Sequence, residues 1–369
     1  MTNPTPNDLK YQIALLEMHR IGHVVARKLI ENFGSAEAVF NLSDDQFKDL
    51  GRIGEDLRTQ VGDHKLLSIA EHQLNYVNQS NARAIGFFDP DYPKRLKHCV
   101  DAPLVLYQRG NVSLNHSKMV AVVGTRNCTN YGKNFCKNLV TSLKEYDVHF
   151  VSGLAFGIDA SLHLNACDLG VVNTAVVAHG LDKVYPKEHG MLSDRILQNG
   201  SVLTEYKTQT RPDRENFPTR NRIVAGMVDA VVVVESAIRG GSMITAKLGN
   251  DYNRDVFALP GRATDSQSEG CNHLIKTNRA HLLSKPEDIP YLLNWSKEDV
   301  KPKAVQKQLF VDLTPEQQTL VDAIGNATSS IDEIMLASKL PMSKVSAELL
   351  MLEFKGLVKQ LPGKMYQMN

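Results

Sequence analysis

Three short stretches of this chain carry residue types suited to holding a phosphate. The first is Gly124-Thr125-Arg126, directly after the apolar run Val120 to Val123. Glycine lets the backbone approach a ligand, Thr125 offers an N–H and a hydroxyl, and Arg126 offers a planar fork that matches phosphate oxygens. The second is Ser152-Gly153-Leu154-Ala155-Phe156-Gly157-Ile158-Asp159, with small residues at 152, 153, 155 and 157. It reads as a strand-to-helix turn whose exposed N–H groups make an anion seat, with Asp159 as a helix cap. The third is Gly240-Gly241-Ser242 after the run Val231 to Val234. There Ser242 is expected to cap a helix while N–H groups point outward, and Lys247 lies a turn further along.

Between the second and third stretches lies a basic segment. Lys207 to Arg222 holds Lys207, Arg211, Arg214, Arg220 and Arg222 against Asp213 and Glu215, with Phe217 and Asn221 among them. An aromatic ring set among arginines is the pairing that single-stranded nucleic acid needs, because bases stack on the ring while arginines hold phosphates. Two plainer readings stay open from the residues alone: a solvated charged face, and a core phenylalanine anchoring a loop. His163, His179 and His189 fall on different elements without ligand spacing, so no metal site is expected.

Turns of this kind need a frame, and the pattern around them supplies one. From Val120 onward strands and helices alternate: strands at 120–123, 149–152, 173–178, 201–205, 230–235 and 255–259, and helices near 130–145, 159–168, 189–198, 220–228 and 242–252. Such alternation implies right-handed crossovers and a parallel sheet covered on both faces. In open sheets of that type, ligands bind outside the carboxyl ends of the strands. Neither Gly-x-Gly-x-x-Gly nor Gly-x4-Gly-Lys-Ser/Thr occurs, so the sheet is Rossmann-like without either familiar nucleotide signature, and no cofactor is expected.

Flanking segments read differently. Residues 8–80 are helical in pattern, with Ile13, Leu16, Val25, Leu29 and Ile30 at helical spacing and Ser35 as a helix start. Asp89-Pro90-Asp91-Tyr92-Pro93 is a turn-rich boundary, and Leu104 to Tyr107 reads as a short strand. Lys285 to Phe310 reads as a polar tether around Trp295. Beyond it, Thr314-Pro315 starts a helix, two more follow, and Gly356 to Gln367 reads as a hairpin turning at Pro362-Gly363. Three helices and a hairpin outline a winged helix. The expected domains are therefore 1–85, 86–290, a linker at 291–311, and 312–369.

Composition narrows the class. The chain has 369 residues and a net charge of +1. Residues 1–85 carry 9 Lys/Arg against 11 Asp/Glu, residues 312–369 carry 5 against 7, and the middle holds the remaining 28 against 23. The positive charge is central, where the phosphate-suited turns are, and the end domains have no basic footprint. No run of about 18 apolar residues suggests a membrane span. The five cysteines form no Cys-x-x-Cys pair, and the first residues lack the order of a signal peptide, so a cytoplasmic protein with reduced thiols is expected.

Taken in order, Gly-Thr-Arg-x4-Tyr-Gly (124–132), Ser-Gly-Leu-Ala-x-Gly-Ile-Asp (152–159), Gly-Leu-Asp-x-Val-Tyr-Pro-x-x-His (180–189), Phe-Pro-x-Arg-Asn-Arg-Ile (217–223) and Gly-Ser-Met-Ile-Thr-Ala (241–246) resemble the DNA-processing protein A family (DprA, also called Smf). Pro260-Gly261 and the run Gly270 to Ile275 extend the likeness, which covers nearly the whole chain. The resemblance implies a Rossmann-like core, a helical sterile-alpha-motif-like (SAM-like) N-terminal domain, and a C-terminal winged helix. It implies a non-enzymatic, cytoplasmic protein that binds single-stranded DNA during natural transformation, forms a homodimer, and helps load the recombinase RecA. Carried onto this chain, the DNA site comprises Gly124, Thr125, Arg126, Ser152, Gly153, Arg214, Phe217, Arg220, Asn221, Arg222, Gly241, Ser242 and Lys247.

Some positions depart from the patterns that their stretches resemble. Arg20 and Arg52 stand where paired helix-hairpin-helix turns usually carry a first glycine, and Asn278-Arg279-Ala280 lacks the usual glycine before alanine. In the last domain, Lys344 is set against Glu348 and Glu353 on the expected recognition helix, which favours protein contact over DNA reading. The competing enzyme class is a phosphoribohydrolase of nucleoside monophosphates. It calls for a Pro-Gly-Gly-x-Gly-Thr loop and a catalytic glutamate, and only Glu235 is placed similarly.

Overall fold

A computed structural model describes residues 8–61, 63–297, 313–325, 328–361 and 363–368. The expected tether from residue 298 onward and Pro362 of the expected hairpin lie outside the described residues.

The centre is a nine-stranded sheet. Its strands are β1 (Ala82–Gly86), β2 (Val105–Arg109), β3 (Met119–Val123), β4 (His149–Ser152), β5 (Asn173–Val176), β6 (Gly200–Thr204), β7 (Ala230–Val233), β8 (Asp255–Ala258) and β9 (His281–Leu282). They lie in the order β1-β2-β6-β5-β4-β3-β7-β8-β9. All pairs from β6 to β9 are parallel, and β1 and β2 add an antiparallel edge. The chain starts the parallel part at β3, steps outward through β4, β5 and β6, then returns to β7 on β3's other side. The reversal opens a crevice at the carboxyl ends of β3 and β7, the switch point at which such sheets bind ligands. The edge strand β1 lies just past the stretch 8–80 expected to be helical and straddles the expected domain boundary at 85/86, where its five residues show no clear alternation.

Alternation in β3 and β7 explains why both faces are covered. Val120 and Val122 join Ala230 and Val232 in the core beneath one face, while Ala121 and Val123 join Val231 and Val233 beneath the other. Successive strand side chains point to opposite faces, so unbroken apolar runs need helices on both. Helices α8 (Asn130–Leu143) and α9 (Ile158–Asp168) cover the first face. The second is covered by α10 (Gly190–Asn199), α11 (Asn216–Gly226) and α12 (Gly241–Asp251). Val122 and Val232 are fully buried, and each such side chain contributes roughly 1.5–3 kcal/mol relative to exposure. Trp295 packs at the edge of the first core, its backbone N–H donating to Pro290 O at 2.7 Å.

Six helices precede the sheet, α1 (Asp8–Leu16), α2 (His23–Phe33), α3 (Ala36–Phe40), α4 (Asp44–Asp49), α5 (Arg52–Arg58) and α6 (His64–Gln79), and a short α7 (Lys94–Lys97) lies between β1 and β2. Ser35 caps the third by accepting from Ala38 N at 3.0 Å. Arg20 holds a φ of 67°, the left-handed region that favours glycine, at the point where the helix-hairpin-helix pattern places one. These helices share the second core with the sheet, so the two regions are packed together.

The last segment folds around its own core of Leu320, Ile324, Ile334, Val345, Leu349 and Leu352. Helices Pro315–Ile324, Ile331–Ser338 and Met342–Phe354 are followed by strands Val358–Leu361 and Met365–Met368, and Ser329–Ser330 adds a third short strand. This is a winged helix. No helix among the described residues is long and apolar enough to cross a membrane.

Candidate nucleic-acid interface

The turn after β3 is pinned from two sides. Thr125 N donates to Glu235 O at 2.7 Å, just past the end of β7, and Thr125 O accepts from Ile158 N at 3.2 Å, the first residue of α9. A Cβ on Gly124 would stand 2.8 Å from Ile158 Cβ and 3.0 Å from Glu235 O, so only glycine fits. Arg126 is left exposed beyond this clamp. Its guanidinium carbon lies 5.6 Å from the centre of the Phe217 ring, within cation–π range.

Phe217 reaches that position from a helix, not a loop. α11 begins at Asn216, four residues before the helix expected at 220–228, because Pro218 suits a first turn whose N–H has no helical acceptor. The Phe217 ring is half-buried and lies 5.9 Å from that of Tyr185. Nearby in the fold, Phe156 stands edge-on to His189 at 4.8 Å. Tyr185 and Phe156 are 43% and 44% exposed, high values for aromatic rings, and both were missing from the expected site. Tyr185 lies inside a motif quoted for the family, and Phe156 falls at the unspecified position of another. An aromatic inside a phosphate-suited turn was the available signal for Phe156, and its place in a quoted motif was the signal for Tyr185.

Helical geometry turns two expected phosphate ligands inward. Arg220 sits one turn after Phe217 and points under the strand tips, where Nη1 donates to Gly153 O at 2.7 Å and also to Val176 O. Arg222 lies about 200° further round the helix. It pairs with the Glu205 carboxylate and donates to Asp101 O. Both guanidiniums are buried, at 4% and 7% exposure. The expectation that Arg220 and Arg222 reach a phosphate is therefore corrected: one braces the strand ends and the other closes an internal ion pair. Lys207 is also occupied, by Glu17. Of the five cations in that segment, Arg211 and Arg214 face water, beside the exposed Asp213 and Glu215.

The Ser152–Asp159 turn is corrected as well. Asp159 Oδ2 accepts from Gly153 N and Ala155 N, both at 3.2 Å, so an internal carboxylate occupies the expected anion seat. Burial pushes the Asp159 carboxyl above its ordinary range and the Arg220 guanidinium below its own; the nearby opposite charge and the N–H donors oppose the shift. A Cβ on Gly153 would meet Arg220 Nη1 at 2.5 Å and Asp159 Oδ2 at 2.7 Å. Gly153 is thus the thin cover of a buried ion cluster. Ser152 is fully buried, its hydroxyl donating to Val122 O at 2.6 Å.

At α12 the cap is Gly240, and the Ser242 hydroxyl donates to Ser236 Oγ at 2.7 Å instead of capping the helix. The first N–H groups of α12, at Gly241 and Ser242, still point out of the helix, as at any helix start. Asn221 Nδ2 lies 3.5 Å from Gly241 O and ties α11 to this end, while Lys247 is exposed on the second turn. Glu235 accepts from Thr129 N at 2.9 Å and from the Thr129 hydroxyl, and is 2% exposed, so its carboxylate faces inward. The histidines are packed too: His163 Nδ1 meets Asn173 Oδ1 at 2.7 Å and His189 Nδ1 meets Leu154 O at 2.8 Å.

One surface therefore carries an exposed arginine, a ring beneath it, and a nearby helix start. Comparison with known proteins bears on what it holds. A family model described as DNA recombination-mediator protein A matches residues 83–294, and a DprA winged helix domain model matches residues 306–364. Protein Smf of Synechocystis sp. is 31% identical over 97% of this chain and 98% of its own length. The X-ray structure of DNA processing protein A from Streptococcus pneumoniae superposes with a TM-score of 0.64 at 30% identity, covering 79% of this chain and 99% of that one. A structure of DNA processing protein A from Helicobacter pylori, titled for its single-stranded DNA binding mode, gives 0.53 at 28% identity over 58% and 97%.

Proposed function

This chain belongs to the DNA recombination-mediator protein A (DprA/Smf) family, and from that premise we propose that it binds single-stranded DNA at the tips of β3, β4, β5 and β7. The observation that carries the reading is Arg126 poised over Phe217 at the sheet's switch point. Arg126 grips a phosphate while a base stacks against Phe217, and Tyr185 extends the aromatic wall. The N–H groups of Gly241 and Ser242 meet a neighbouring phosphate, with Lys247, Arg214 and Asn221 on the rim. Gly124, Thr125, Ser152, Gly153, Arg220 and Arg222 shape this surface from below. The Helicobacter pylori relative, titled for single-stranded DNA, supports the choice of strand.

In the cell this amounts to holding incoming single strands during natural transformation and passing them to RecA, as a cytoplasmic homodimer that performs no catalysis. The winged helix serves a protein partner. Its third helix exposes Leu350, Met351 and Phe354, the last at 79%, while Lys344 is paired with Glu316. The test is fluorescence anisotropy with labelled single-stranded and duplex DNA across salt, comparing the wild type with Arg126→Ala. Preference for single strands, weakening with salt and lost in the variant, is the expected result; equal affinity for duplex rejects it. RecA filament growth on strands coated with single-strand-binding protein tests the handover. Turnover of nucleoside monophosphates would count for an enzyme instead.

A further inference from the structure

A second cleft opens on the far side of Arg126, between the start of α8 and the exposed face of α9. It encloses about 710 Å³ and is lined by Arg126, Lys133, Phe156, Ala160 and Leu164, among others. That volume falls within the range of small-ligand sites. Three features set its chemistry. Phe156 and Leu164 are 44% and 41% exposed, an unusual state for two large apolar side chains lining one cleft. Its two charges are both cationic, Arg126 and Lys133, and no carboxylate lines it. Lys133, exposed on α8, has no ion-pair partner among the described residues.

Arg126 lines this cleft and also lies over Phe217, so the two surfaces are continuous. Ala160, Ser161 and Leu164 recur at helical spacing along α9, behind its cap Gly157, giving the cleft a floor of small and apolar groups. Apolar walls with cations at the rim fit a nucleobase joined to a phosphodiester, and suit an acidic peptide or a lipid tail less well. We infer that this cleft is a second nucleotide subsite, in which the strand continues past Arg126, lays a base against Phe156 and Leu164, and sets a phosphate between Arg126 and Lys133. This rests on the proposed single-strand reading and extends it by a defined direction of travel. It also gives Arg126 two neighbouring nucleotides to bridge.

The test is a length series of labelled oligothymidylates from about 4 to 16 nucleotides, the range of single-strand site sizes. Wild type, Phe156→Ala, Lys133→Gln and Leu164→Glu are compared. All three substituted side chains are exposed, so the variants are expected to fold, and a thermal melt confirms it. Longer strands are expected to lose roughly 5- to 150-fold in affinity with Phe156→Ala while the shortest lose little. Lys133→Gln is expected to lower the slope of log affinity against log salt by about 0.7. Leu164→Glu should weaken the same long strands. Unchanged affinity at every length in the three variants overturns the subsite while leaving the Arg126–Phe217 grip standing. Equal loss at all lengths also overturns it, because Phe156 would then serve the first grip. A wild type that binds no oligonucleotide removes both readings.

Discussion

Removing the Arg126 guanidinium isolates one phosphate contact with little cost to the fold. Arg126 is exposed and makes no ion pair among the described residues; its marked neighbour is the Phe217 ring at 5.6 Å. That contact is worth about 0.5–1 kcal/mol at an exposed site, so Arg126→Ala should barely move the melting temperature. A hydrogen bond to a charged partner contributes roughly 1.5–3 kcal/mol, which predicts a loss of about 10- to 150-fold in affinity for single strands. Each phosphate neutralised on a single strand adds about 0.7 to the slope of log affinity against log salt. The alanine variant should therefore show a slope lower by about that amount between about 50 and 300 mM salt. Arg126→Lys separates charge from shape. It should restore the slope but only part of the affinity, since an ammonium has no fork and stacks poorly on a ring. Fluorescence anisotropy with a labelled oligothymidylate measures both quantities. An alanine variant with the wild-type slope would show that Arg126 touches no phosphate, and the assignment of this crevice would fall with it.

The inward residues should behave differently. Arg222→Ala leaves the buried Glu205 carboxylate with His23, at 3.0 Å, as its one ion-pair partner among the described residues, and should cost roughly 3–5 kcal/mol of stability, read by urea unfolding; a near-neutral result would mean Arg222 faces solvent. Gly153→Ala drives a methyl into Arg220 and Asp159 and should cost about 1–3 kcal/mol, with weaker DNA binding as the strand tips shift. His149 and His163 are fully buried, and burial pushes them down to about 3 and about 4. The unfolded chain takes up those protons near pH 6.5, so stability is full above that value and falls as pH drops towards the folded values. Each ring should cost roughly 2 kcal/mol between pH 7 and 5; a loss under about 1 kcal/mol in total, by urea titration, would show the rings solvated. Deleting residues 312–369 should leave single-strand affinity within about threefold, and its collapse would reject a protein-contact role for the winged helix.

Much of this architecture was legible in the amino-acid order because it rests on short-range rules. The runs at 120–123, 230–233 and 256–258 are apolar on both faces, which only a covered parallel sheet accommodates. Thr314, followed by Pro315 and Gln317, carries a complete capping box. Edge strands were harder: β1 and β9 are short and partly exposed, with no pattern of their own. The site was legible only in part. Arg126 and Phe217 meet as their types suggested, yet the direction of a side chain depends on helix phase, and placing the start of α11 four residues late hid the inward turn of Arg220. Asp159 was read as a helix cap because spacing cannot show that a carboxylate folds back onto the N–H groups ahead of it.

Those inward residues explain why the outward ones can be so few. Arg220 ties the Gly153 and Val176 carbonyls together from beneath, and Asp159 holds the N–H groups of Gly153 and Ala155. Arg222 joins α11 to Glu205 beyond β6, and the same carboxylate meets His23 of the N-terminal helices. Phe217 rides on the helix that both arginines fix, so its ring is held at a set distance from the β3 turn carrying Arg126. A flexible strand loses conformational freedom on binding, and a surface that loses little of its own leaves more of the contact energy as affinity. On this view the basic segment works chiefly by rigidity: two of its arginines give up phosphate contact to immobilise the ring that a base would stack upon.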